Sequence, residues 1–129
     1  MFQSEVRFPV TLYIDHDPAA DDILPLWRAP AACEIKTAYV TVANAVAGST
    51  ENYFSLQLRN GGSAGTATTS ISNKIGGTVG WTALTPTAFT MTSTGADLAA
   101  GDLVELDYDE TGTGTFAAMV VQLDVVYGT

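Results

Sequence analysis

The sequence feature that most constrains the fold of this chain is the alternation of apolar and polar residues near its C-terminal end. Val104, Leu106 and Tyr108 are separated by acidic side chains, and every second residue of 117–127 is apolar. Side chains two apart lie on the same face of a strand, so each half predicts a β-strand with a buried face. A polar, glycine-rich break at residues 110–114 separates the halves. We therefore predict a long antiparallel hairpin whose second arm runs through the middle of a sheet.

The same period-two pattern recurs along the rest of the chain. It predicts strands over residues 6–14, 23–28, 33–42, 52–60 and 85–92, with a weak edge strand or an extended loop at 66–75. No segment places apolar residues at helical spacing over three turns, although residues 96–100 are compatible with one helical turn. Trp81, beside several glycines, is expected to cover one end of the core.

Two of these strands lead to specific expectations about their faces. Pro9 lacks a backbone donor, so the first strand is expected either to lie at a sheet edge or to start irregularly. In the third strand, one face carries Ile35, Thr37, Tyr39 and Thr41, and neither face is clearly polar. We expect that strand to be covered on both sides, by the core and by a neighbouring molecule or loop. The buried side predicted for the first strand consists of Val6, Phe8, Val10, Leu12 and Ile14.

About eight strands at short, regular spacing predict an all-β fold, an antiparallel β-sandwich with a jelly roll as the preferred topology. The chain of 129 residues is predicted to form one domain over 1–129. Residues 1–5 are either an N-terminal arm that reaches a neighbour, with Phe2 as its anchor, or a frayed end.

Composition excludes several classes of partner. The formal net charge is −9, so no nucleic-acid binding and no adsorption to anionic membranes is expected. There is no apolar run of about 20 residues that would span a membrane and no visible secretory signal.

Charged residues make up 15% of the chain, below the roughly 25% of ordinary soluble domains. The surface is therefore rich in small polar residues, which a protein partner covers at little cost. Cys33 is the single cysteine, and we interpret it as a buried, inert thiol.

One loop is a candidate metal site. Asp15, Asp17 and Asp21 lie around His16, and carboxylates at such spacing can bind calcium. The spacing is not that of an EF-hand, and a solvated turn is the favoured interpretation. His16 has no partner placed by any motif for general-base work. We therefore predict no metal, no cofactor and no catalytic residue.

A second acidic cluster follows the polar break. Asp107, Asp109 and Glu110 resemble the paired carboxylates of glycoside hydrolysis, but no run of aromatic residues accompanies them. Acids that protect a strand edge from pairing with other chains are the favoured interpretation.

The scattered aromatic residues could form a sugar-stacking platform. The favoured interpretation is that they fill the core or an interface. Those residues are Tyr13, Trp27, Tyr53 and Trp81.

The overall pattern resembles small jelly-roll virion proteins of tailed bacteriophages, of the head decoration, cement or head-fibre type. The segments that carry the resemblance are residues 10–15, the Ala-Pro turn within 26–35, residues 54–62, the Ala-Gly-Asp turn within 98–104, and Thr113-Gly114 before the last strand. The resemblance implies a homotrimer seated on the outside of the capsid, made in the host cytoplasm, with no enzyme activity. Its partners would be copies of itself and the major capsid protein or other virion proteins.

The basic residues are few on so acidic a chain, so each is expected to have an acidic partner, in this chain or in a neighbouring subunit. The predicted interface residues are Phe2, Arg7, Arg28, Lys36, Tyr39 and Arg59. The alternative to decoration is a recognition module of the same fold, a fibre tip or carbohydrate-binding domain that reads a host glycan. Burial of the tryptophans and of Tyr53 would argue against that alternative.

Overall fold

A computed structural model describes residues 6–18, 20–92 and 96–128. Within these ranges the chain forms ten strands and one 3₁₀ turn, η1 (Gly77–Val79). The predicted N-terminal arm, including Phe2, lies outside the described residues. The strands are β1 Phe8–Ile14, β2 Asp22–Arg28, β3 Cys33–Val42, β4 Tyr53–Asn60, β5 Thr69–Ser70, β6 Ile75–Gly76, β7 Thr87–Phe89, β8 Asp97–Leu98, β9 Leu103–Thr111 and β10 Met119–Tyr127.

The strands form two antiparallel five-stranded sheets packed as a sandwich. The first has the order β1-β10-β3-β7, with β8 also paired to β3; the second has the order β2-β9-β4-β5, with β6 also paired to β4. The main strands pair from the two ends of the chain inward: β1 with β10, β2 with β9, β3 with β7, and β4 with β5. This nested pairing across two sheets is the arrangement of a jelly roll, and the predicted fold class is confirmed.

The predicted C-terminal hairpin is wrong. β9 pairs with β2 and β4, whereas β10 pairs with β1 and β3, so the two strands lie in different sheets. Residues 112–118 carry the chain from one sheet to the other, and this connection crosses close to β4. A Cβ atom on Gly114 would lie 2.2 Å from the carbonyl carbon of Tyr53. The second arm does run through the middle of a sheet, between β1 and β3, as predicted.

The core lies between the two sheets and follows the predicted alternation in most strands. β4 and β9 turn their alternate apolar residues inward, and β10 does the same from Met119 to Val125. Burial of this continuous apolar layer is the main source of stability in such a sandwich. The core residues without measurable exposure are Val40, Phe54, Leu56, Leu58, Ile71, Val104, Leu106, Tyr108, Val121, Leu123 and Val125.

A β-bulge in β3 overturns the predicted faces of that strand. Thr37 lies opposite Asp124, but Ile35 lies opposite Val125, so Lys36 is an extra residue in the ladder. The bulge shifts the alternation by one position. Ile35 therefore points into the core together with Ala38, Val40 and Val42, instead of sharing a face with Thr37, Tyr39 and Thr41.

β1 lies at the edge of its sheet, as the proline predicted. The buried side predicted for it is wrong at its first two positions. Val6 precedes the strand and is 63% exposed, and Phe8 is 48% exposed. An edge strand has a neighbour on one side only, and the Phe8 ring packs edge-on against Tyr127 at 5.4 Å. Val10, Leu12 and Ile14 pack against the core as expected.

The helical turn considered for residues 96–100 is also wrong. Asp97 and Leu98 form β8, paired with Cys33 and Glu34 of β3. This pairing provides partners for backbone groups that a single isolated turn would leave to solvent. No helix within the described ranges is long and apolar enough to cross a membrane.

Candidate functional site

The loop between β1 and β2 lies against the crossing from β9 to β10, at one end of the sandwich. The Phe116 N–H donates to Asp17 at 3.0 Å, and the Glu110 N–H donates to Asp21 at 2.8 Å. Asp15 is instead exposed and lies 2.8 Å from His16 Nδ1. The three candidate calcium ligands therefore have different neighbours. Within residues 6–18, 20–92 and 96–128, no three His, Cys, Asp or Glu side chains form a group that could hold a metal.

Tyr108 is the buried centre of this end. Its hydroxyl lies 2.9 Å from Glu110 Oε2, 3.1 Å from the Gly114 carbonyl oxygen and 3.4 Å from both Asp17 carboxylate oxygens. Three acceptor groups thus share one hydroxyl proton. Burial, followed by the hydrogen bond with Glu110, raises the pKa of Tyr108 well above its ordinary value. A phenol held neutral in this way fastens the crossing to the loop and is unsuited to proton transfer at neutral pH.

Aromatic rings fill the core beneath this network. Phe54 and Trp81 stack with ring centroids 5.1 Å apart and planes 10° apart, and Tyr108 and Phe116 each lie 5.5 Å from Phe54. Trp81 Nε1–H donates to the Phe54 carbonyl at 3.3 Å. Trp81 is only 6% exposed, so it covers the end of the core as predicted.

Beside this end, an open groove of about 580 Å³ lies over the outer face of the second sheet. We call it the acidic groove. Lys74 Nζ is 2.5 Å from Asp109 Oδ2 within it, and the same contact raises the pKa of Lys74. Burial, with the neighbouring Asp109 as the second cause, raises the pKa of Asp107. The groove is lined by Asp21, Tyr53, Ser55, Lys74, Ile75, Gly76, Gly77, Thr78, Asp109, Glu110 and Thr111.

The acids of the second predicted cluster are engaged separately. Asp109 pairs with Lys74, whereas Glu110 turns toward Tyr108. Asp102 accepts hydrogen bonds from the Ala99 N–H and from Asn60 Nδ2, at 2.9 and 3.0 Å. Neither His nor Cys lines the acidic groove. Its chemistry is therefore that of hydrogen bonding and charge, suited to a polyhydroxylated or cationic group.

The aromatic platform considered for sugar binding is not assembled. Trp81 belongs to the core, and Trp27 of β2 is half-buried against it. Tyr53 is half-buried and lines the acidic groove. Tyr13 is 67% exposed but belongs to β1, in the other sheet. Burial of the tryptophans and of Tyr53 would argue against a recognition module. Trp81 is buried, whereas Trp27 and Tyr53 are only partly buried.

Three of the predicted interface cations have partners inside this chain. Lys36 Nζ lies 3.1 Å from Glu34, and Arg59 lies 3.6 Å from Glu105. Arg28 donates to the carbonyl oxygens of residues 63 and 101, at 3.0 and 2.6 Å. The expectation of an acidic partner is therefore met within the chain for two of them, while Arg28 holds two loops through backbone oxygens.

The other predicted interface residues are distributed differently. Arg7 is exposed just before β1. Tyr39 is 36% exposed and projects from the outer face of the first sheet. Their role at an interface stays a prediction.

Glu105 is buried, which the sequence pattern does not indicate. It is 5% exposed, on the outer face of β9 opposite Arg59 of β4. Glu105 Oε1 and Arg59 Nε are buried without a hydrogen-bond partner. A Cβ atom on Gly61 would lie 1.9 Å from Glu105 Oε1, so the glycine leaves room for the carboxylate in its present position. The strand register, which a single sequence does not reveal, was needed to find this pair.

Comparison with known proteins adds a structural likeness. No protein-family model matches the chain, and no curated protein sequence matches it. Among solved structures, the chain is similar to one in the capsid of Ralstonia phage GP4. The likeness covers 100% of this chain and 90% of that chain, with a TM-score of 0.67 and 17% sequence identity. At this identity the likeness establishes a shared fold.

Proposed function

We propose that this protein is a non-enzymatic structural component of a bacteriophage virion that decorates or cements the outside of the head, as a homotrimer. The observation that carries the proposal is the likeness of fold along the whole chain to a protein from a phage capsid. The resemblance of the sequence to head decoration, cement and head-fibre proteins supports the finer part of the proposal.

The physical properties of the chain support this role. The fold offers two broad sheet faces, and charged residues are only 15% of the sequence. A face with few charges, such as the outer face of the first sheet around Tyr39 and Val120, is covered by a partner with a small desolvation cost. The net charge of −9 limits non-specific association of copies during synthesis in the host cytoplasm and adhesion between finished particles. The partners proposed are copies of this chain and the major capsid protein or other virion proteins.

The test is addition of the purified chain to phage heads that lack it. We expect saturable cosedimentation with the heads and a higher temperature of head disruption, because a ligand of the assembled shell stabilises it by mass action. Heads that neither retain the chain nor gain heat resistance would refute the decorating role. Equal binding to unrelated particles of similar size would refute its specificity.

A second candidate function, recognition of a host-surface glycan, is favoured by the acidic groove. Tyr53 lines the groove as an aromatic residue, and Asp21 and Asp109 offer acceptors for sugar hydroxyls. A glycan array probed with the chain, with and without calcium, tests it. Binding that is lost in Tyr53→Ala and kept in the matched variant Tyr13→Ala would support it, and an array without any binder would refute it.

A further inference from the structure

The outer face of the first sheet carries an unusual run of uncharged residues. Tyr13, Val120 and Thr41 face one another across three strands, and Gln122 and Tyr39 form the adjacent pair on the same face. These side chains point away from the core because their neighbours along β10 point into it. Leu84 flanks this face, where its N–H donates to the Val42 carbonyl at 2.9 Å. We define the uncharged patch as Tyr13, Tyr39, Thr41, Leu84, Val120 and Gln122.

The patch exposes large side chains around two shallow hollows. Leu84 is 75% exposed and Tyr13 is 67% exposed. The hollows, of about 140 and 170 Å³, are both lined by Thr41 and Val120. In protein interfaces, projecting side chains of one partner pack into hollows of the other, so a surface with both features is suited to an interface.

The backbone at Leu84 is held in a conformation that leucine rarely adopts. Its φ is +56°, the one positive value at a non-glycine residue of the described ranges. A left-handed leucine is disfavoured by its Cβ atom. Such strain persists where the surroundings hold it and concentrates at functional positions. Here it keeps a leucine side chain in solvent at the margin of the patch, where burial by a partner would be favourable.

The distribution of charge indicates what covers the patch. The six patch residues carry no charge, whereas Asp107, Asp109 and the buried Glu105 lie on the outer face of the other sheet. A basic partner would be drawn to that acidic face. Two copies of a chain with net charge −9 repel wherever their carboxylates meet. The six patch residues present no carboxylate to a second copy, and the next acid along β10, Asp124, lies beyond Gln122 on the same face, where it accepts a hydrogen bond from Thr37 at 2.7 Å.

The face is also large enough for association. β1, β10 and β3 have 7, 9 and 10 residues. At roughly 3.3 Å per residue and 4.8 Å between strands, they span on the order of 400 Å² before side-chain relief and the flanking Leu84 are counted. A stable interface takes about 800 Å² from each partner. The outer face of the three strands therefore supplies roughly half of that area, and the contact between copies must also include the flanking segment around Leu84.

We propose that the uncharged patch is the surface through which copies of this chain bind one another. The inference rests on the proposed function, since it names the contact that builds the proposed homo-oligomer. The test uses the free chain without phage heads, so its outcome is independent of whether the chain binds a head.

The experiment is sedimentation equilibrium of the full chain at micromolar concentrations, for the parent and three variants. Val120→Glu places a charge in the patch, whereas Val79→Glu adds the same charge at a residue that is 81% exposed in η1. Leu84→Asn removes the projecting side chain and suits the left-handed backbone, because asparagine tolerates it. Thermal unfolding followed by circular dichroism checks that each variant is folded.

We expect a parent mass at a multiple of 13.5 kDa, with three copies for the proposed trimer. Folded Val120→Glu and Leu84→Asn should associate about tenfold more weakly or worse, because like charges or lost burial then face the partner. Val79→Glu should match the parent. A monomeric parent overturns the inference, even if Val120→Glu then loses binding to heads, which would make the head the occupant. An oligomer unchanged by both patch variants also overturns it, while leaving the proposed function standing.

Discussion

Replacement of Gly76 by alanine tests how the aromatic end of the core is packed. Gly76 has φ +85°, and a Cβ atom there would lie 2.2 Å from Trp81 Cζ2 and 2.6 Å from Cε2. The adjacent Gly77 has φ +72°, but its Cβ would meet nothing within 4 Å. Gly77→Ala therefore provides a control with positive φ and no steric contact.

The two substitutions should differ by the cost of moving the indole. Alanine at a positive φ costs about 1–2 kcal/mol at Gly77, and it costs at least as much at Gly76, whose ψ of −125° lies in a region that glycine alone commonly adopts. At Gly76, forcing the new methyl into the packed ring adds about 1–3 kcal/mol. The ring has little freedom to yield, because Trp81 stacks on Phe54 and donates to its carbonyl. We expect a loss in free energy of unfolding of about 1–2 kcal/mol for Gly77→Ala and about 2–5 kcal/mol for Gly76→Ala.

Urea denaturation followed by tryptophan fluorescence and far-UV circular dichroism measures both losses. Trp81→Phe in the Gly76→Ala background removes the atoms that clash, so the double variant should be more stable than additivity predicts, by about 1–2 kcal/mol. Equal losses for Gly76→Ala and Gly77→Ala, or strict additivity with Trp81→Phe, would refute this account of the packing.

Three further predictions concern single groups. Burial, and then the neighbouring Asp109, raise the pKa of Asp107 in the folded state. The folded state therefore binds this proton more tightly than the unfolded state does. The proton stabilises the fold at pH values below the ordinary pKa of aspartate, and this stabilisation is lost as the pH rises through the folded pKa. Asp107→Asn should therefore raise the free energy of unfolding at neutral pH, by less than about 1 kcal/mol because solvent screens this group. This gain in stability should vanish at about pH 3, where Asp107 is protonated. A gain in stability that does not depend on pH would contradict this reasoning. Tyr108→Phe should lower stability by about 1–3 kcal/mol, because Glu110 loses its phenolic donor, as measured by urea denaturation; an unchanged midpoint would show that the donor contributes nothing. Burial raises the pKa of Cys33, so a disulfide-exchange reagent at neutral pH should modify it only as fast as the chain unfolds, and rapid modification of the folded chain would show that the thiol is accessible.

Much of the fold follows from local patterns in the sequence. Val104, Leu106 and Tyr108 alternate with acids and are buried, and Phe54 and Trp81 occupy the core positions expected of them. Alternation identifies strands and their buried faces because side chains on a strand repeat every two residues. It carries no information about which strand lies alongside, and for that reason β9 and β10 were paired wrongly.

The site shows the same division. The residues that could bind a metal or a sugar were identifiable by type, but their neighbours depend on strand register and on loops that meet at one end of the sandwich. Asp17 turned out to accept a backbone N–H from the distant Phe116, and Glu105 to be buried beside Arg59. Neither contact has a local signal, because each joins residues far apart in the chain.

The all-β class, the positions of the long strands and the acidic, lightly charged character of the chain follow from residue type and short-range spacing. The nested pairing of the jelly roll, the bulge at Lys36, and the placing of Glu105, Asp107 and Asp109 on the outer face of one sheet depend on contacts between distant strands. These features arise when strands distant in sequence come into register, and the energies that select one register over another are sums over the whole packed core.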